Sequence, residues 1–251
     1  MTNDTSLQID RSRSKRNKSF VSVALGLSVL TLLTVAGSRD SAPGVAPPNS
    51  NAYGKTLPQW LSTYWRWYYS GGDPTQSKVG NVLLMALPAG EYVSGDGTPA
   101  SPAIFHGELN LTISDGTPFV LPAAAWVGER YLGYPGVPDD LPIADDVFLA
   151  NIRPVLTIDG KAVLSDANQA AFYVPPTAFN PIVTYPAPTS YGSVAAVFFQ
   201  GIGIVSKPLS LGKHVIHLYE PFVIPAGIYA ALPDGLGVIY DNTWNITVVS
   251  E

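Results

Sequence analysis

Leu109-Asn110-Leu111-Thr112-Ile113 and Trp244-Asn245-Ile246-Thr247-Val248 alternate apolar and polar residues without a break. Successive side chains of a strand point to opposite sides, so a period of two predicts strands with one buried face. The texture around these two segments is the same. Short apolar runs at Val82–Leu87, Ile104–Ile113, Phe119–Leu121, Val147–Ile152, Val155–Ile158, Ala171–Val174, Val194–Ile204, His214–Tyr219 and Gly237–Tyr240 are separated by Gly, Pro, Asp and Asn. Between two of them, Ile158-Asp159-Gly160-Lys161 carries the Asp-Gly turn of a hairpin. With 23 Pro, 23 Gly and no internal repeat, the chain reads as mainly β. The expected architecture is an antiparallel β-sandwich or jelly roll of about 8–10 strands.

One segment has the other period. Leu57–Ser70 predicts a single N-terminal amphipathic aromatic helix. Thr56-Leu57-Pro58-Gln59 fits a capping box with Pro58 in the first turn, and Gly71-Gly72 provides the stop. Gln59, Ser62, Thr63 and Arg66 share a polar arc. Trp60, Leu61, Tyr64, Trp67 and Tyr68 fill the opposite one, with Trp65 and Tyr69 at its rim. Such a helix needs a large apolar surface to lie on, and the rim rings are the ones expected to stay exposed.

The N-terminus reads as an address. Basic residues Arg11, Arg13, Lys15, Arg16 and Lys18 precede the apolar run Phe20–Ala36, which ends in small residues at Val35-Ala36-Gly37. That order predicts a signal peptide over residues 1–37, cleaved near Ala36–Ser38, with an uncleaved anchor as the alternative. No cysteine follows the run, so a lipoprotein is excluded, and Arg11 and Arg13 are not adjacent, against a twin-arginine route. Residues 38–52 are rich in Pro, Ser, Gly and Ala and are expected to form an extended spacer without a core. Residues 53–251 then form one domain. The expected location is exported, periplasmic or extracellular, touching a membrane only through an uncleaved leader.

Removing the leader sharpens the charge. Five of 14 Lys and Arg and two of 19 Asp and Glu lie within it, which leaves 9 basic and 17 acidic residues, a net of −8. An acidic chain this poor in cations repels phosphate backbones, so nucleic acid is not an expected partner. Zero cysteines exclude thiol nucleophiles, thiol ligands and disulfides. A domain of this length buries enough apolar surface without them.

Candidate chemistry is sparse. Asp139, Asp140, Asp145 and Asp146 crowd a Pro-rich stretch, and oxygen-rich loops suit Ca²⁺, though the spacing is not that of an EF-hand. No cofactor is required; Ca²⁺ is the candidate ion. Glu129 stands near Trp126, Tyr131 and Tyr134, a carboxylate on an aromatic wall of the kind glycan-active proteins use, with Asp139 or Asp140 as its partner and His106 as a further candidate. Trp65, Tyr69, Trp126 and Tyr131 are the candidate ligand-binding rings. His214 and His217, three apart on a strand, point to opposite faces, so they are not a ligand pair; His214 is expected to close a turn beside Gly212. His106 and Glu108 share a face but lack a third ligand. Ser193, in Tyr191-Gly192-Ser193, is not in a nucleophile elbow.

Four stretches together resemble a group of bacterial exported proteins of uncharacterised function. They are the Trp-rich helix Tyr53–Trp67, the strand Gly116-Thr117-Pro118-Phe119-Val120-Leu121-Pro122, the turn Leu156-Thr157-Ile158-Asp159-Gly160-Lys161 and the strand Pro208-Leu209-Ser210-Leu211-Gly212-Lys213-His214-Val215-Ile216. Tyr64 stands where the group has a second Trp, and Val215–Asp241 is longer than in the group. The resemblance implies export and a β-rich fold, and brings no catalytic residues. The functional expectation is an exported binding or structural module whose partner is a glycan, a cell-envelope component or a small molecule. The alternative is a secreted enzyme acting on a glycan or small apolar molecule through Glu129.

Overall fold

A computed structural model describes residues 44–132, 138–190, 192–229 and 232–250. Residues 1–37, expected as a leader, residues 38–43 of the expected spacer and Tyr134 lie outside the described residues.

In chain order the elements are helix α1 (Leu57–Tyr69), strands β1 (Lys78–Val79), β2 (Val82–Leu84), β3 (Gly90–Ser94), β4 (Ala103–Ser114) and β5 (Phe119–Tyr131), helix α2 (Asp145–Asn151), and strands β6 (Val155–Ile158), β7 (Lys161–Leu164), β8 (Tyr173–Thr184), β9 (Ser193–Val205), β10 (Gly212–Ile224) and β11 (Leu236–Val249). They form two packed sheets, ordered β1-β2-β5-β9-β8 and β3-β4-β11-β10-β6-β7, so the β-sandwich expectation holds.

The two opening segments are neighbours. Leu109 pairs with Trp244, Leu111 with Ile246 and Ile113 with Val248, while Asn110 and Thr112 match Asn245 and Thr247 on the outer face. This pairing is parallel, as is β2 with β5; the remaining strand pairs are antiparallel. Alternation fixes which face a residue takes but not the direction of the strand beside it. The Asp-Gly hairpin forms between β6 and β7, with Asp159 at φ 51° and Gly160 at φ 73°, the left-handed pair that a two-residue turn needs.

Three expectations are corrected. Val147–Ile152 is not a strand but lies in and just after α2. Phe148 and Ile152, four apart, are both fully buried, and Asp145 and Asp146 occupy the first turn, where carboxylates suit the positive end of the helix. Gly237–Tyr240 and Trp244–Val249 are one continuous strand, β11. The spacer ends earlier than residue 52. Val45 is fully buried, Ala46 N–H donates to Val205 at 2.8 Å, and Lys207 N–H donates to Gly44 at 2.9 Å, so this stretch pairs with the chain leaving β9.

Helix α1 forms as its caps predict, with the Thr56 N–H donating to Gln59 Oε1 at 2.9 Å. It packs against β5, β8 and β9. Gly203 of β9 permits this approach, since a Cβ there would come within 2.6 Å of Leu61 Cδ2. Just past β2, Tyr64 hydroxyl donates to Met85 O at 2.8 Å, and from the six-stranded sheet the Trp244 indole donates to Ala86 O at 2.7 Å. Helix and six-stranded sheet thus grip one short segment from two sides.

Candidate functional site

The rim of α1 is not where the arc predicts. Trp65 is buried at 7% exposure, and Tyr68, assigned to the buried arc, is 40% exposed. Trp65 turns in because its ring packs edge-on against Tyr64 at 5.2 Å and Tyr68 at 5.6 Å. Tyr69 is half-buried, as a rim residue should be, and stacks on Tyr185 at 5.3 Å.

Glu129 reaches this end of α1 through Tyr185 and Tyr69, and Glu220 lies on the facing sheet. Glu129 of β5 is buried, and Tyr185 hydroxyl donates to its Oε1 at 2.7 Å. Burial first, then the neighbouring Tyr69 and Glu129, push the Tyr185 phenol far above its ordinary range. Glu220 of β10 lies opposite Tyr240 of β11 on the inner face. Burial pushes the Glu220 carboxyl well up, which favours its neutral form. Tyr240 is raised by burial first and then by the neighbouring Glu220 and Tyr68. Tyr240 also stacks on Phe105 at 5.5 Å. Between the two carboxylates, Tyr68 and Tyr69 touch at 5.2 Å. On the facing sheet Phe105, Glu220 and Tyr240 are only half-buried although they point inward, and Tyr68 of α1 is exposed, so solvent reaches the inner face here.

The other predicted residues disperse. Asp139 makes a fork with Arg130, Nη2 to Oδ2 at 2.8 Å, and the hydrogen bonds from Arg130 hold its carboxyl below the usual range. Asp140 Oδ2 accepts the Glu129 backbone N–H at 3.1 Å and Tyr131 hydroxyl at 3.0 Å. Asp140 is therefore tied to the Glu129 backbone, while the Glu129 carboxylate turns to Tyr185. Asp145 accepts from Tyr173 hydroxyl at 2.7 Å, and Asp146 is exposed. Among the described residues no group of three or more His, Asp or Glu side chains is arranged to hold a metal ion. Trp126 is half-buried, its indole donating to Leu141 O at 3.1 Å and its ring facing Phe222 and Tyr229.

His106 lies on the other sheet from Glu129, pointing outward with its side chain 59% exposed, so the pairing of His106 with Glu129 is not made. It meets Asp241 at 3.5 Å, whose other oxygen takes His217 Nε2 at 2.6 Å. His214 does close a turn. Its Nδ1 lies 2.7 Å from Asp159 Oδ2 and its Nε2 lies 2.8 Å from Ser210 O.

Glu220, Tyr240 and Tyr185 are the residues that sequence reasoning missed. A signal for Glu220 was present: Ile216, Leu218 and Phe222 alternate inward, and Glu220 occupies the same register. A charged residue on an apolar face is the departure to look for.

Comparison of the chain with family models, with curated proteins and with solved structures finds no match.

Proposed function

We propose that this chain is an exported β-sandwich binding protein, and that it holds its ligand in a tyrosine-lined crevice at the C-terminal end of α1. The observation that carries this reading is Glu220. It is half-buried on the inner face opposite Tyr240, and among the described residues it has no hydrogen bond or ion pair. Its partial burial raises the carboxyl with no donor to offset it, which makes Glu220 a local cost to the fold. Penalties of this kind collect where a ligand is bound. Tyr68 and Tyr69 offer flat faces with polar tips, suited to a small molecule or an envelope component.

The test is a thermal-shift panel of neutral sugars, amines and aromatic acids on the exported protein. A ligand at about 100 times its dissociation constant stabilises by about 2.7 kcal/mol. Tyr68→Ala and Glu220→Gln should each abolish the shift that wild type shows. A ligand whose shift survives both substitutions would place binding elsewhere. N-terminal sequencing of secreted material should start near Ser38; an intact N-terminus would make the leader an anchor.

A second reading, a glycan-active enzyme, is favoured by the unlike environments of the two carboxylates. Glu220 is held towards the protonated form, while Glu129 accepts from Tyr185. In that case Glu220, rather than Asp139 or Asp140, is the partner of Glu129. Turnover of a glycan that Glu220→Gln abolishes would establish it, and its absence across a substrate panel would leave binding alone.

A further inference from the structure

Along the inner register of β10 and β11, three polar side chains interrupt the apolar face: Glu220, Tyr240 and Asn242. Asn242 is 6% exposed, and its Oδ1 has no hydrogen-bond partner among the described residues. Asn242 Oδ1 turns towards Gly107 of β4, which leaves Glu220 as the acidic group of the set. Rings supply its walls, with Tyr240 stacked on Phe105 and Tyr68 presenting a 40% exposed ring from α1. An unpartnered carboxylate between aromatic faces is costly to ionise alone. A cation with an apolar body removes that cost, because it pairs with the carboxylate while its body and charge lie against the π faces.

We propose that the space between Tyr68 of α1 and the Glu220–Tyr240 pair binds a small organic ammonium ion, with Glu220 as counter-ion and the two tyrosine rings as walls. This rests on the binding reading above and adds the class of ligand. The net charge of −8 beyond the leader draws cations towards the protein at long range. Bringing a cation to Glu220 ionises it, so binding releases a proton where the free carboxyl is protonated.

The exported protein is titrated by calorimetry with choline and with 3,3-dimethylbutan-1-ol, which keeps the shape of choline but replaces the charged nitrogen with carbon. Choline should bind more tightly by about tenfold or more. Glu220→Gln should weaken choline by about tenfold and leave the alcohol unchanged, with near-ultraviolet circular dichroism confirming the fold. Tyr68→Leu, which keeps apolar bulk and removes the π face, should also weaken choline selectively. Equal affinity for the two probes, choline binding untouched by Glu220→Gln, or no choline binding would overturn the assignment. If the alcohol matches choline and Tyr68→Leu weakens both, the cation is wrong while the crevice stands as a binding site. If neither probe binds and the wider panel gives no crevice-dependent shift, both readings fall.

Discussion

Glu220 on β10 and Tyr240 on β11 face each other across the antiparallel pair, side by side on the inner face of the six-stranded sheet. The half-buried Glu220 carboxyl gains no donor among the described residues, and Tyr240 is itself pushed up by burial and by Glu220. That relationship gives the protein a pH-dependent weakness with a predictable sign.

Because the Glu220 carboxyl is raised in the folded state, its favourable share is fully present below the ordinary glutamate value near 4.5 and is lost as pH rises towards the folded value. Each unit of displacement is worth about 1.4 kcal/mol. Urea unfolding of wild type should therefore show stability falling from pH 5 to pH 8 relative to Glu220→Gln. The substitution should make the protein more stable at pH 8. Parallel pH profiles for the two proteins would mean that Glu220 is solvated and ordinary.

Asp159 and His214 carry the opposite pair of shifts. The hydrogen bond that His214 donates to Asp159 raises the imidazole, so its stabilising share is present below the ordinary histidine value near 6.5 and fades as pH rises through the folded value. Burial pushes Asp159 up, but the bonds from His214 and Val215 N–H outweigh it and leave the carboxyl below its usual value. Its share is present above the ordinary aspartate value near 3.8 and is lost as pH falls through the folded one. Asp159→Asn keeps a side chain suited to φ 51°, so it isolates the charge. NMR titration should find His214 titrating above 6.5 in wild type and lower in the variant.

Tyr64 anchors α1 through one buried hydroxyl, donated to Met85 O. Tyr64→Phe keeps the ring contacts and leaves that carbonyl without its donor. The expected cost is about 1–3 kcal/mol in denaturant unfolding. An unchanged midpoint and slope would show that the bond adds nothing to the docking of the helix.

Gly201 of β9 lies so close to β5 that a Cβ would stand 2.3 Å from Ala124 O and 2.9 Å from Ala125 Cα. Both atoms are backbone and cannot swing aside, so Gly201→Ala should destabilise by about 2 kcal/mol. At Gly203 the nearest atom is the tip of Leu61, which can move, and Gly203→Ala should cost less. A reversed order in thermal melts would contradict the packing described for the five-stranded sheet.

Much of the fold was legible because period-two alternation is a local property. Leu109–Ile113 and Trp244–Val248 announced their buried faces, and Asp159-Gly160 announced its turn. Their pairing in parallel was not legible, since partner choice depends on chain that lies far away in sequence. Val147–Ile152 misled because a short apolar run suits strand and helix alike, and only Phe148 with Ile152 at helical spacing tells them apart. Glu129 and Tyr69 both lie against Tyr185, but the partners given to Glu129 were sequence neighbours. Asp139 is held by Arg130 and Asp140 by the Glu129 backbone, whereas the second carboxylate of the proposed crevice, Glu220, comes from the far end of the chain. Trp65 and Tyr68 exchanged roles because a helical wheel assumes one flat partner, and α1 meets β8 and β9 on one side and the Met85 segment on another.

The most direct test of the proposed crevice is chemical-shift mapping on the isotope-labelled protein during a choline titration. The account predicts that the perturbed resonances cluster on Tyr68, Tyr69, Glu220 and Tyr240 and vanish in Glu220→Gln. Perturbations confined to the outer face of the six-stranded sheet, around His106, His217 and Asp241, would contradict it.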